Sequence, residues 1–227
     1  MFPTIELSLE DVESSWAGLR PLIFEEGKSA SELSRKDEIF YSDSKLISIA
    51  GGKLTGYRKM SQRVVDMVAR KFKKRFDIEF GEIRTDKTPL TEKAFANYKE
   101  VKTYSKQLTK QVENLGLSKA QVSYLVHNYG KQTDVILANV DLQQGSSSTE
   151  ALILAELEFC LQQEMVLTPL DFYLRRTGRV FFDIKSVHET KEAVLDTFTT
   201  YFTWSPERRK LQAEALEACL HGSTQFV

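Results

Sequence analysis

At 227 residues, with 41% apolar and 28% charged side chains, the chain can bury one good-sized core or two small ones, and it lies far from the composition of a disordered segment. Its 31 Lys plus Arg against 32 Asp plus Glu leave a net charge of -1, which excludes whole-molecule attraction to nucleic acid. No apolar run approaches the roughly 18 residues that cross a bilayer, and no basic stretch followed by an apolar one opens the chain, so neither a membrane span nor an export signal is expected.

In chain order, Ser8 is placed to cap a short helix running through Glu10, Asp11 and Val12 towards Trp16, because its hydroxyl can accept from the amides of a first turn. Candidate strands follow at Ala17–Ile23, Asp37–Tyr41 and Leu46–Ala50, the last an apolar run, LISIA, with Ser42, Asp43 and Ser44 suited to the intervening turn. Gly51 and Gly52 end that strand. A helix then begins near Thr55 or Tyr57 and carries Met60, Val64, Met67, Val68 and Phe72 on one face.

From about Thr85 onward the pattern predicts only helices. Thr91 is the predicted cap of one carrying Phe95, Tyr98, Val101 and Leu108. Ser118 caps another with Val122, Leu125, Val126 and Tyr129, ended by Gly130. A short helix is expected over Asp134–Val140. After the loop Gly145–Glu150, Ala151–Met165 is apolar on more than one face and reads as central to the core. Thr168 with Pro169, and Ser205 with Pro206, are caps followed by proline at the first helical position, where its missing amide costs nothing. They open helices closed by Gly178 and reaching Leu220, with Val187–Tyr201 between. Cys160 and Cys219 fall within apolar helical patterns and read as reduced thiols of a reducing cytoplasm. The predicted fold is therefore α-rich: a small α+β segment over residues 1–80, then an all-α domain over 85–227.

Two features bear on chemistry. In GGKLTGYRK, two glycines let backbone approach a planar ring, and a helix starting just after them offers free amides to negative charge; the same residues would also serve as a plain strand-to-helix turn. The run Arg70, Lys71, Lys73, Lys74 and Arg75, with Phe72 and Phe76 interleaved, reads as a solvated helix end complementing the helix dipole, or else as a contact for nucleic acid or an anionic membrane surface. Arg175 and Arg176 read as a salt bridge or carbonyl cap, or as a contact for a partner. His127, His188 and His221 read as surface or core residues, and no metal site or catalytic residue is identifiable in this chain.

The segments SWAGLRPLI (Ser15–Ile23), SRKDEIF (Ser34–Phe40), LISIAGGKLTGYRKM (Leu46–Met60) and EMVLTPLDFYLRRTG (Glu164–Gly178) together resemble the C-terminal portion of the FAD-dependent glycerol-3-phosphate dehydrogenases and α-glycerophosphate oxidases. The resemblance spans essentially the whole chain. It implies that residues 1–80 are the last piece of an FAD and substrate domain. It also implies that Gly51, Gly52, Lys53, Leu54 and Thr55 line the isoalloxazine, and that Arg20, Arg35 and Lys53 bind the phosphate of sn-glycerol 3-phosphate. The implied reaction yields dihydroxyacetone phosphate and reduced FAD, with electrons passing on to a quinone or to oxygen, in the cytoplasm or against the inner face of the membrane. Lys45 stands where relatives often hold Gly. No GxGxxG follows a strand, so the adenine and pyrophosphate end of FAD belongs to an N-terminal half, and this chain alone is expected neither to keep FAD nor to catalyse. The other function class open to it is a free-standing helical interaction or stabilising domain.

Overall fold

The computed structural model describes residues 4–19, 23, 26–27, 37–91, 93–140 and 147–225. Its contacts divide the chain into two units: Gly18–Leu90, and Met1–Ala17 together with Thr91–Val227. The expected break near residues 80–85 thus falls at 90/91, and the N-terminal segment groups with the helices instead of with the α+β piece.

The smaller unit is a hairpin followed by a helix. Strands β1 (Asp37–Tyr41) and β2 (Ile47–Gly51) pair antiparallel with Ile39 opposite Ile49. Their loop closes through Ser42 N to Leu46 O at 3.0 Å and Lys45 N to Ser42 O at 3.0 Å, and Lys45 adopts φ 75°. That left-handed residue after a tight turn is the geometry of a three-residue hairpin, which favours glycine there. A 3-10 turn, Leu54–Gly56, leads into α1 (Tyr57–Phe76), which ends at Asp77 in the left-handed region with Lys73, Lys74 and Arg75 in its last turn. Arg63 of α1 pairs with Asp37 of β1. Met60, Val64, Met67 and Val68 lie on the predicted face but are only half-buried, and no described residue of this unit is fully buried.

The larger unit holds the core. Helices α2 (Tyr98–Gln111), α3 (Lys119–Tyr129), α4 (Thr133–Ala138), α5 (Ser148–Gln163), α6 (Arg179–Phe182), α7 (Ile184–Phe202) and α8 (Pro206–Thr224) follow in order. α5 is central: Leu152, Ile153, Leu157, Phe159 and Cys160 are buried on different sides of it, and it packs against α4 and α7. Expected caps hold at several starts. Ser118 and Gln121 form a reciprocal box, the Ser118 hydroxyl accepting from Gln121 N at 3.2 Å and the Gln121 carbonyl from Ser118 N at 2.8 Å; Ser205 accepts from Arg208 N at 3.3 Å.

Several expectations shift. Thr91 is not a cap, because α2 begins seven residues later with the Asn97 side chain accepting from Glu100 N and the Glu100 carboxylate accepting from Ala96 N. The Ser8 helix is one 3-10 turn, Leu9–Asp11, where the Asp11 carboxylate takes both the amide and the hydroxyl of Ser8. Neither Ala17–Leu19 nor Ile23 is in a strand, and residues 20–22 of that call lie outside the described residues. The Thr168–Gly178 segment starts as expected, with Asp171 N donating to the Thr168 hydroxyl, but winds as a π-helix over Asp171–Arg176; Thr177 N reaches Phe172 O at 2.9 Å, five residues back. α6, a single turn after Gly178, was not foreseen.

Candidate functional site

The residues expected at the cofactor come together at the end of β2. Gly51 and Gly52 take φ 75° and 81°, backbone that side chains with a Cβ rarely adopt. A Cβ on Gly52 would meet Met60 Sδ at 2.9 Å and Asp37 Cβ at 3.1 Å, so packing beneath the turn also requires glycine there. The turn presents Lys53, Leu54 and Thr55 outward. Leu54 is 90% exposed, and Lys53 makes no hydrogen bond or ion pair among the described residues apart from its carbonyl, which accepts from Gly56 N at 2.8 Å. Arg20 and Arg35, the other predicted phosphate ligands, lie outside the described residues. Of the expected anion cluster the structure therefore locates Lys53 alone.

A second polar centre, which the sequence reading missed, lies inside the helical unit. Glu156 of α5 is 0% exposed. Its Oε1 accepts from Tyr124 OH at 3.0 Å and Tyr129 OH at 2.8 Å, and its Oε2 faces Arg179 Nη2 at 2.8 Å. Arg179 also donates through Nη1 to Asp183 at 2.9 Å and to the Ser186 hydroxyl at 3.3 Å, while its guanidinium carbon sits 5.2 Å from the Tyr124 ring centroid. Burial works against the Arg179 charge, but Glu156, with Tyr124 and Asp183, more than offsets it and holds the guanidinium above its ordinary pKa. Burial and then the Glu156 charge push both tyrosine phenols upward, keeping them as donors. Burial likewise pushes the neighbouring Cys160 thiol up to about 12, which makes it an inert core sulfur. Glu156 and Arg179 are 23 residues apart, and no local spacing could have joined them.

Arg175 and Arg176 settle as structural groups: Arg175 pairs with Asp171 at 2.6 Å, one turn back, and Arg176 donates to the carbonyl of Glu164 at 2.6 Å. Among the described residues no group of His, Cys, Asp and Glu is arranged to hold a metal ion, and no helix is long and apolar enough to cross a membrane.

Residues 83–209, more than half of the chain, match the family model described as the C-terminal domain of alpha-glycerophosphate oxidase. The chain belongs to that family. It is 42% identical over 224 residues to an aerobic glycerol-3-phosphate dehydrogenase of Bacillus subtilis, a match covering 97% of this chain and 40% of the relative. The dehydrogenase of the same name from Staphylococcus aureus strain USA300 is 37% identical over 230 residues, covering 99% of this chain and 41% of its own length. Among solved structures, the glycerol-3-phosphate dehydrogenase of Bacillus halodurans complexed with FAD superimposes with a TM-score of 0.73 at 38% identity, over 99% of this chain and 43% of that one. The chain thus spans about two fifths of the length of these relatives. The family match bears out the α-rich reading and the resemblance drawn from the sequence segments. It begins within the smaller unit and leaves out the N-terminal segment that packs with the helices.

Proposed function

We propose that this chain is the C-terminal portion of a flavoenzyme that oxidises sn-glycerol 3-phosphate to dihydroxyacetone phosphate. The observation that carries the reading is the pair of left-handed glycines, Gly51 and Gly52, opening a bare turn directly ahead of the 3-10 turn and α1. Such backbone admits the close approach of a planar ring, and these residues fit a flavin. A bound FAD would supply the hydride acceptor for C2 of the substrate. Around it, Gly51, Gly52, Leu54 and Thr55 form the wall, and the amides at the start of the following helical turns favour negative charge developing on the ring. Lys53, a compact cation without a side-chain partner among the described residues, holds substrate oxygens beside that wall, while Arg20 and Arg35 supply forked donors to the phosphate dianion. The base that takes the hydroxyl proton, and the site for the adenine end of FAD, belong to the N-terminal half of the enzyme.

Electrons leave for a quinone or for oxygen. We assign a cytoplasmic location, with peripheral contact to an anionic membrane surface through the end of α1, where Phe72 meets Phe76 at a tilt at 5.5 Å and Phe80 edge-on at 5.7 Å between ring centroids, beside Lys71, Lys74 and Arg75. The helical unit, with a core of its own, also suits a stabilising domain that acts without catalysis.

The visible spectrum separates these readings. This chain, mixed with FAD and desalted, elutes colourless, whereas the complete enzyme elutes yellow and bleaches on adding glycerol 3-phosphate. Gly52→Val in the complete enzyme removes the colour. Flavin kept and bleached by the chain alone would sink the fragment reading, and a complete enzyme that stays oxidised with the substrate would sink the activity.

A further inference from the structure

The turn between α5 and the π-helix is strained, braced and apolar on its outside. Met165 adopts φ 56°, in the left-handed region that a residue with a Cβ disfavours and glycine does not. Its side chain is nonetheless 84% exposed, and that of Leu167 is 58% exposed, while Val166 between them is buried and anchors the turn in the core. Hydrogen bonds hold the backbone on both sides of Met165. Val166 N donates to Cys160 O at 3.3 Å and Leu167 N to the Asp171 carboxylate at 3.3 Å, and Asp171 is itself held by Arg175. Arg176 Nη2 donates to Glu164 O at 2.6 Å, and its Nε lies 3.7 Å from the Glu164 carboxylate. Such bracing keeps a backbone conformation that local preference would not choose. Strain kept beneath two exposed apolar side chains adds nothing to the core of this unit; it fixes where those side chains stand.

We propose that Met165 and Leu167 form a knob that seats in an apolar hollow on the FAD-binding portion preceding this chain in the complete enzyme. This rests on the reading of the chain as the C-terminal part of a longer flavoenzyme, relatives of which it spans for about two fifths of their length. Size selects that occupant. Two side chains bury far less than the roughly 1,200 Å² that separate molecules need in order to hold together, which argues against a second copy of the chain. A contact within one chain has no loss of free translation and rotation to overcome, so a small knob suffices. Lipid is the weaker fit as well: interfacial binding uses free cations around a broad apolar face, whereas Arg175 and Arg176 are paired with Asp171 and Glu164.

The test places p-benzoylphenylalanine at position 165 of the complete enzyme and maps the photoproduct by mass. The expected product is an intramolecular cross-link whose partner peptide lies ahead of the first residue of this chain. A product of twice the chain mass, a lipid adduct, a partner peptide within residues 1–227, or no cross-link at all would overturn the inference. Met165→Gly gives a second readout, because its sign differs between two proteins. In this chain it relieves the left-handed strain and removes an exposed side chain, so the urea midpoint stays level or rises. In the complete enzyme it removes the knob, and the temperature at which flavin fluorescence is released falls by about 2–4 °C. Leu167→Ala, also a change to an exposed side chain, lowers the release temperature of the complete enzyme and leaves the chain alone unaffected. Shifts of the same sign and size in both proteins would mean that the turn serves only the helical unit, and the knob would be refuted. The cross-link is read without flavin, so a complete protein that never takes up FAD sinks the activity proposed above while the contact is still tested.

Discussion

The two units are both built on well-formed helices, yet one is finished and the other is not. All of the fully buried apolar side chains of the described residues lie between Leu108 and Leu220, in the helical unit. The hairpin and α1 have none, although α1, at 20 residues, is longer than the core helix α5, at 16. A helical period therefore reports that a face exists, and says nothing about whether this stretch of chain contains what covers it. Phe40, Tyr41, Leu46 and Leu54 leave much of their surface open on the smaller unit. The Gly51–Gly52 turn sits on the unit whose described residues hold no buried core, and the polar lock sits in the unit that has one.

The sharpest way to break this contrast is to unlock the helical core. Arg179→Ala strands the buried Glu156 carboxylate without its cation, and breaking a buried pair in this way costs about 3–5 kcal/mol. Urea unfolding followed by the helical circular dichroism should show that loss, while hydrogen exchange across Tyr57–Phe76 stays at its wild-type rate. Joint replacement, Glu156→Leu with Arg179→Met, recovers part of the stability, since no charge is left unpaired although the Tyr124 and Tyr129 hydroxyls lose the Glu156 acceptor. A loss below about 1 kcal/mol for Arg179→Ala would mean that the pair is not the keystone of the unit.

The exposed end of α1 supplies the next test, because the proposed membrane contact and a contact with protein predict different behaviour there. Lys71 Nζ lies 3.4 Å from the Tyr41 ring centroid, beside Lys74, Arg75 and the clustered phenylalanines. If lipid is the partner, the chain sediments with phosphatidylglycerol vesicles, and the triple change Lys71→Gln, Lys74→Gln, Arg75→Gln lowers the partition coefficient by about two orders of magnitude. Binding also fades in 1 M salt, where screening is complete within a few ångströms. Equal partition by the wild-type and triple variants would remove the membrane contact and leave the face to protein.

How much was legible follows the same division. Ser118 with Gln121, Ser205 with Pro206, and the apolar run of α5 were readable because caps and faces are local in sequence. β1 was readable to the residue and β2 to within one, since Gly51 and Gly52 mark the end of the ladder. Thr91 misled because Asn97 offers the same chemistry closer to the first apolar turn, and the π-helix at Asp171–Arg176 carries the same residues as an α-helix would. The Glu156–Arg179 lock was not legible, because it joins residues far apart in sequence. Of the candidate site, the turn at Gly51–Thr55 was readable from its glycines and the arginines came only from the family resemblance.

The smallest effect tests whether the two units are thermodynamically separate. Lys45 at φ 75° and Thr203 at φ 53° are residues with a Cβ in left-handed backbone, the first in the hairpin loop and the second ending α7. A left-handed non-glycine residue costs about 1–2 kcal/mol, and glycine recovers part of it after its own entropy loss of about 0.5–1 kcal/mol in the unfolded chain is counted. Each substitution by glycine should therefore gain at most about 1 kcal/mol, but in different observables. Thr203→Gly raises the urea midpoint of the helical unit, because the whole core unfolds with α7. Lys45→Gly leaves that midpoint where it is and slows amide exchange only across β1 and β2, because a hairpin without a buried core opens by itself. A shift of the global midpoint by Lys45→Gly would mean that the hairpin unfolds together with the helical core, and the two units would then not be thermodynamically separate.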